Sequence, residues 1–300
     1  MQVYVNGRFV PAEEASISVF DHGFLYGDGV FEGIRVYGGT IFRLQQHLER
    51  LFHSALCLML DIPMTPETMG DAIVETVRRR GLPNQYVRVV VSRGAGDLGL
   101  DPKRCPQPSV IIIADTIALY PEHYYTEGLD LVTVATRRVS SDALDPRIKS
   151  LNYLNNIMAK IEAQQAGVVE AVMLNAEGYV AECTADNVFV LRQGCLHTPS
   201  VAAGALQGVT RDSVLEIAGG LGLETSESFL TRYDLYTAEE CLMTGTGAEI
   251  VPVVRIDGRR IGTGEPGPVT ARIREGFAAL CHQDGVRVEI AEPAHAASKA

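Results

Sequence analysis

The 26 basic side chains of this 300-residue chain divide into 22 arginines and only four lysines, Lys103, Lys149, Lys160 and Lys299, so each lysine needs a reason. Lys103 stands in the Pro-bounded loop DPKRCPQP and Lys299 in an Ala-rich tail, and both read as solvated. Leu151, Leu154, Ile157, Met158 and Ile161 recur at helical spacing and mark a core-facing stripe, with Lys160 well to its side at the surface. Lys149 differs. It follows Pro146, which keeps Asp145 out of helical conformation, and it precedes a helix whose first turn carries Asn152 and Tyr153. Two readings stand open: an amine held for Schiff-base chemistry, where desolvation makes it nucleophilic, or a surface lysine flanking a helix.

Three further groups could work with such an amine. The segment GALQGVT leads into a helix from about Thr210, whose apolar positions Val214, Leu215 and Ala218 share one face before Gly219-Gly220 ends it. Its first amides and the Thr210 hydroxyl form a cup for an anion such as phosphate, although ordinary capping produces the same pattern. In CLMTGTGAEIVPV a strand breaks into a Gly-Thr-Gly turn at 245–247, again with free amides. A strand over 86–91 sends Tyr86 and Arg88 to one side, a pairing suited to a carboxylate, with a buried salt bridge as the competing explanation. Glu182, in GYVAECTADNVF, lies between two short strands and is either a loop carboxylate or an acid placed for chemistry.

The elements that must position these groups follow from period and punctuation. Residues 3–10 alternate around Asn6-Gly7, a hairpin signal. A strand over 30–37 puts Phe31, Gly33, Arg35 and Tyr37 on one face and Glu32, Ile34 and Val36 on the other. Helices are predicted over 44–60, with Arg50 to one side of the apolar face, and over 66–80, started by Pro66 and closed by Gly81. The stretch IALYPEHYYTEG at 117–128 loses all periodicity, and the domain connection belongs there. Beyond it strands and helices alternate: strand 129–136, helix 151–166, strands 170–175 and 187–191, then the helix from Thr210 and a closing helix over 269–280. This organisation gives a small domain 1–118, a connecting loop 119–128, a larger domain 129–290 and a disordered tail 291–300.

A net charge of −11 argues against a nucleic-acid or anionic-membrane surface. No basic leader or bilayer-length apolar run is present, which with six scattered cysteines predicts a cytoplasmic protein without disulfides. The seven dispersed histidines offer no metal site. Dinucleotide, nucleotide-triphosphate and serine-hydrolase fingerprints are missing, which leaves an anion cup, a scarce lysine and a carboxylate receptor. One cofactor uses all of them with an acid at its ring nitrogen: pyridoxal 5'-phosphate.

From VFDHGFLYGDGVFEGIRVY through FRLQQHLERL, YVRVVVSRGAGDLGLDP, IKSLNYLNNIMAKIEA, GYVAECTADNVF, GVTRD and TGTGAEIVPV, the sequence resembles the branched-chain aminotransferases, within the class IV, fold type IV pyridoxal phosphate enzymes. The resemblance runs in order over nearly the whole chain. It implies a two-domain α/β (α+β) fold, a small N-terminal α/β domain followed by a larger one with a barrel-like sheet. Lys149 would be the catalytic residue, joined to the cofactor aldehyde. Tyr153, Glu182, Arg50, Leu206, Gly208, Val209, Thr210 and Thr246 would bind the cofactor, Glu182 at its ring nitrogen and Arg50 and the last three at its phosphate. Tyr26, Phe31, Gly33, Arg35, Tyr86, Arg88, Gly247 and Ala248 would receive substrate.

The implied reaction moves the amino group between Leu, Ile or Val and 2-oxoglutarate by ping-pong kinetics, in a homodimer or assembly of dimers where the 94–101 loop serves the partner's site. A D-amino-acid or R-amine transaminase or an aminodeoxychorismate lyase shares the fold, and a non-catalytic phosphate-ligand binding protein is the alternative of another class. Two places depart from the family pattern: Cys183 and Ala185 stand where the family's E-G-x-G has its glycines, on either side of Thr184, and Gly247 stands where alanine is common.

Overall fold

The computed structural model describes residues 1–290, so the expected tail 291–300 lies outside the described residues. The chain divides into two compact units, Met1–Ile117 joined by the residues from Cys281 onward, and Ala118–Leu280.

The first unit opens with strands β1 (Gln2–Val5) and β2 (Arg8–Pro11), a hairpin turned by Asn6 and Gly7, both at positive φ. Helix α1 (His22–Tyr26) follows, capped by the Asp21 side chain, and then strands β3 (Gly29–Tyr37) and β4 (Thr40–Phe42). Helices α2 (Leu44–Cys57) and α3 (Pro66–Arg80) come next; α3 starts in a Thr65–Thr68 capping box and stops at Gly81. Strands β5 (Gln85–Ser92) and β6 (Ser109–Asp115) complete the contiguous part.

The alternation read from sequence in β3 is the one observed. Ile34 and Val36 turn into a core with Leu44, Leu48 and Leu51 of α2, each such burial contributing about 1.5–3 kcal/mol. The loop 94–101 is tied back to 21–26: Asp21 bridges Ala95, the Tyr26 hydroxyl donates to the Leu98 carbonyl at 2.7 Å, and a His22 ring nitrogen lies 2.8 Å from the Asp97 carbonyl.

The second unit begins with helix α4 (His123–Glu127), inside the stretch expected to be an interdomain loop. Tyr120, Tyr124 and Tyr125 pack on this unit's apolar core, so the residues without periodicity are a covering segment here. Strand β7 (Leu129–Thr133) is shorter than expected: the Val134 amide makes a last bond to the Val172 carbonyl at 3.2 Å, and the chain bends at 135–136. Then come helix α5 (Leu154–Gln165) and strands β8 (Glu170–Leu174), β9 (Val180–Cys183), β10 (Asn187–Arg192) and β11 (Cys195–Pro199). Helix α6 (Val209–Gly220) leads to strand β12 (Glu224–Ser228) and helix α7 (Arg232–Tyr236). Strands β13 (Glu240–Gly245), β14 (Glu249–Ile256) and β15 (Arg259–Arg260) precede helix α8 (Pro268–Gln283).

The strands form one curled sheet in the order β12-β11-β10-β13-β14-β7-β8-β9, with β15 beside β14, and the turn after β9 passes directly into β10. This is the mixed α/β architecture with a barrel-like sheet anticipated for the larger domain.

A last strand, β16 (Gly285–Arg287), pairs with the edge of β4 and extends the first unit's sheet to the order β16-β4-β3-β5-β6-β1-β2. The expected boundary kept 281–290 with the second domain; the open edge of β4 recruits them instead.

Two expectations about α5 need correction. The apolar stripe does not face the core: Leu154, Ile157, Met158 and Ile161 are 69%, 51%, 47% and 40% exposed. The buried face is Asn156, Ala159 and Ala163, with both alanines against Ala171 and Met173, small residues that let the helix lie close to the sheet. Lys160 is not merely a surface residue, since its amine pairs with the buried Glu170 at 2.9 Å and donates to the Val169 carbonyl.

Candidate active site

In the second unit the scarce lysine meets the acid and the cup. Lys149 sits in the irregular segment before α5, because Pro146 and the Ser150-to-Ile148 backbone bond delay the helix until Leu154. Its amine donates to the Tyr153 hydroxyl at 3.0 Å. Glu182, on β9, is 4% exposed. One of its oxygens pairs with the Arg138 guanidinium at 2.8 Å; the other accepts from the Leu206 amide at 2.9 Å and the Asn187 side chain at 3.3 Å. Burial pushes the Glu182 carboxyl up from its ordinary value, while Arg138, the Leu206 amide and the nearby Lys149 charge pull it down. The acid is thus held in one orientation at the end of a strand with the lysine in electrostatic range.

Residues that the sequence did not single out do the holding. Arg138 also donates to the Gly204 carbonyl at 3.2 Å and to Asn156 at 2.9 Å, and Asn156 in turn donates to the Thr184 carbonyl. Asn187 bridges Glu182 and the Leu206 carbonyl, so Leu206 serves the acid through both of its backbone groups. The legible signal was an asparagine on the helix face that must meet the sheet.

Gly208 caps α6 with no side-chain hydrogen bond, leaving the first turn's amides as donors, and Val209 and Thr210 are buried at its start. A Cβ at Gly208 would lie 2.1 Å from the Asn187 Oδ1, so glycine lets this turn close on the acid's support. The helix is aimed from behind by the fully buried Arg211, which donates to the Pro199 carbonyl and to Glu227. Thr246 and Gly247 form the turn between β13 and β14, while the Ala248 side chain enters the apolar core and leaves only its backbone to a ligand. These residues fit a phosphate-bearing aldehyde with a basic ring nitrogen: an amine for the aldehyde, amides for the phosphate, a desolvated carboxyl for the nitrogen.

Neither departure from the family pattern disturbs this frame. Among the described residues Cys183 and Ala185 have no positive φ, and the Cys183 amide closes the turn on the Asp186 carbonyl at 2.8 Å, so glycine is not required there. The left-handed residue after the 245–247 turn is Glu249, at φ 62, not Gly247.

The first unit gathers the other group. Gly33 pairs with Arg88 and Arg35 with Tyr86 across β3 and β5. A Cβ at Gly33 would lie 1.9 Å from the Tyr86 hydroxyl oxygen, so the phenol occupies the space glycine leaves. The Arg88 guanidinium lies 4.6 Å from the Phe31 ring centroid and 5.4 Å from that of Tyr86. Among the described residues no carboxylate pairs with it, which favours an anion receptor over a structural salt bridge. Arg35 reaches the Ile117 carbonyl at 3.4 Å, and Tyr26 is tied to Leu98.

Arg50 is engaged by a residue that sequence reasoning passed over. Its Nε and Nη2 reach the two oxygens of Glu32 at 2.7 and 2.8 Å, and the His47 Nδ1 lies 2.8 Å from the same carboxylate. Burial alone would raise the Glu32 carboxyl, but Arg50 and then His47 hold it well below the usual carboxylate range. A charged residue on the core-facing side of β3 was the available signal.

Comparisons with known proteins show the family. A family model described as Amino-transferase class IV matches residues 29–256. The chain is 48% identical over 288 residues to a Methanocaldococcus jannaschii protein named as a candidate branched-chain-amino-acid aminotransferase, covering 96% of this chain and 99% of that protein. Among solved structures it is similar to the Escherichia coli branched-chain amino acid aminotransferase, with a TM-score of 0.91 and 32% identity over 95% of this chain and 96% of that one. It is also similar to the T.th. branched-chain amino acid aminotransferase with pyridoxamine 5'-phosphate, at a TM-score of 0.90 and 40% identity over 94% of each chain. That T.th. enzyme is known too in complex with N-(5'-phosphopyridoxyl)-L-glutamate.

Proposed function

Since the chain belongs to the class IV aminotransferase family, we propose that it is a pyridoxal 5'-phosphate-dependent transaminase moving the amino group between branched-chain L-amino acids and 2-oxoglutarate. The observation that carries the reading is the Lys149 amine bonded to Tyr153 in electrostatic range of the buried, latched Glu182. When bound, the cofactor supplies an aldehyde for an amine and a ring that accepts electrons.

The chain's own residues supply the rest. Lys149 would hold the cofactor through its amine and, with that amine free, would take the proton from the substrate α-carbon. Tyr153 fixes the direction of that amine, and Glu182 keeps a proton at the ring nitrogen. The Gly208–Thr210 amides and Thr246 bind the phosphate. Gly247 and Ala248 take the α-carboxylate. Tyr26, Phe31, Gly33 and Arg35 surround the side chain, and Arg88, stacked on aromatic rings, accepts either an apolar branch against those rings or the distal carboxylate of glutamate. The names of the relatives do not favour the D-amino-acid, R-amine or lyase alternatives. A panel of L-leucine, L-isoleucine, L-valine, D-alanine and aminodeoxychorismate against 2-oxoglutarate tests this. Glutamate forms with the three branched L-amino acids, and turnover confined to D-alanine or to the lyase substrate refutes the reading.

The working form is a dimer or an assembly of dimers. Leu154, Ile157, Met158 and Ile161 on α5, and Val19, Phe20, Phe24, Leu98 and Leu100 in the first unit, are two apolar surfaces that a second copy would cover. The double variant Ile157→Glu and Ile161→Glu is expected to lower the mass measured by light scattering relative to wild type; an unchanged mass excludes this helix from the interface. No helix among the described residues is long and apolar enough to cross a membrane. The scattered cysteines, without a C-x-x-C pair, suit the reducing cytoplasm proposed for this protein.

A further inference from the structure

Three buried acids cluster behind the 182–187 turn, and two of them are fully engaged. Glu170 meets Lys160, Tyr120 and the amides of Ala171 and Thr184; Glu182 meets Arg138, Leu206 and Asn187. Asp186 is 5% exposed, yet among the described residues no hydrogen bond or ion pair reaches its carboxyl.

Its position is specific. A Cβ at Gly245 would lie 1.9 Å from the Asp186 Oδ1, so the carboxyl rests directly on the first residue of the 245–247 turn. The next residue, Asn187, pairs with Thr244 and lies against Gly208 at the start of α6. Asp186 therefore stands beside one of the two backbone segments assigned to the phosphate and one residue from the other. The Thr244 hydroxyl is also buried there without a partner.

Charges press on this carboxyl from several elements. Glu170 on β8 and Glu182 on β9 oppose its ionisation, and Lys160 on α5 and Lys149 before that helix favour it. Tyr120 and Cys183 stand in the same field. With burial the largest effect, the acid is pushed up to about 7. An ionised carboxylate beside the turn would repel a phosphate dianion, whereas a protonated one carries no charge and can donate a hydrogen bond.

We propose that Asp186 takes up a proton when the phosphate-bearing cofactor binds, so that loading of the site is coupled to pH through this side chain. The inference rests on the cofactor reading above. The sign follows directly: at pH 8 the empty site holds Asp186 mostly ionised and the loaded site holds it protonated. Wild type then takes up about one proton more per cofactor bound than Asp186→Asn, and above pH 7 its affinity falls about tenfold per pH unit relative to that variant.

The test is calorimetric titration of the full chain with pyridoxamine 5'-phosphate, which has an amine and so forms no bond to Lys149, at pH 8 in two buffers of different ionisation enthalpy. Subtracting the variant removes proton changes at the ligand ring and at Glu182. A difference near one proton supports the inference, and equal uptake overturns it while leaving the cofactor reading intact. Failure of wild type to bind the ligand at any pH overturns both. Should Asp186→Asn not fold, wild type labelled with carboxyl-¹³C aspartate still decides: a protonated-carboxyl infrared band that grows on loading supports the proposal, and its absence sinks it.

Discussion

Lys149→Ala is expected to reduce transamination at least about 10⁴-fold, because in the proposed function one amine serves both as the cofactor's attachment and as the base at the substrate α-carbon. The substitution removes the hydrogen bond to Tyr153 at 3.0 Å, a loss of about 1 kcal/mol, so folding is expected to survive. Circular dichroism and thermal midpoint should stay close to wild type while the coupled glutamate assay falls to background. Borohydride with cofactor should fix a chromophore to wild type, at a peptide carrying residue 149, and none to the variant. Turnover in Lys149→Ala within tenfold of wild type would mean that another group carries the proton, and the chemistry would have to be reassigned.

The sequence made Lys149 visible because lysine is rare in this chain and a proline holds that segment out of the helix. It made the cup visible because glycine and threonine at a helix start have few alternatives to binding an anion or capping. What it could not reveal is what each apolar or polar face meets. Periodicity identified Leu154, Ile157, Met158 and Ile161 as a stripe, but period alone cannot say whether the chain's own sheet or another molecule covers it; the sheet took the Asn156, Ala159 and Ala163 face because small residues permit close approach.

The supports of the acid were hidden for a related reason. Arg138, Asn156 and Asn187 lie far apart in sequence and converge only through strand pairing and helix packing, so no local pattern marks them. Glu32 is the exception, since a carboxylate on the core face of a strand requires cationic partners, and Arg50 and His47 are where it finds them. The last strand is invisible for want of length: Gly285–Arg287 offers three residues, too few for a pattern, and acquires its structure from the edge of β4.

Arg138→Met should cost about 3–5 kcal/mol of stability at neutral pH, the range for removing one member of a buried ion pair. Arg138 and Glu182 are both nearly inaccessible, their atoms lie 2.8 Å apart, and the guanidinium also satisfies Gly204 and Asn156. Methionine fills similar volume but leaves a carboxyl whose value burial already raises without its main opposing charge. The folded-state value therefore rises further above the unfolded one. An acid shifted upward binds its proton more tightly in the folded state, so its penalty is largest at high pH and fades as pH falls through that value. Urea midpoints should show the deficit at pH 8 to be clearly greater than at pH 5. The double variant Arg138→Met with Glu182→Gln should regain part of the loss at pH 8, because the stranded charge is gone, although it lacks the acid proposed for the ring nitrogen. A deficit independent of pH and unrelieved in the double variant would show that Arg138 acts through packing and its bonds to Gly204 and Asn156, and that Glu182 does not depend on it for its charge.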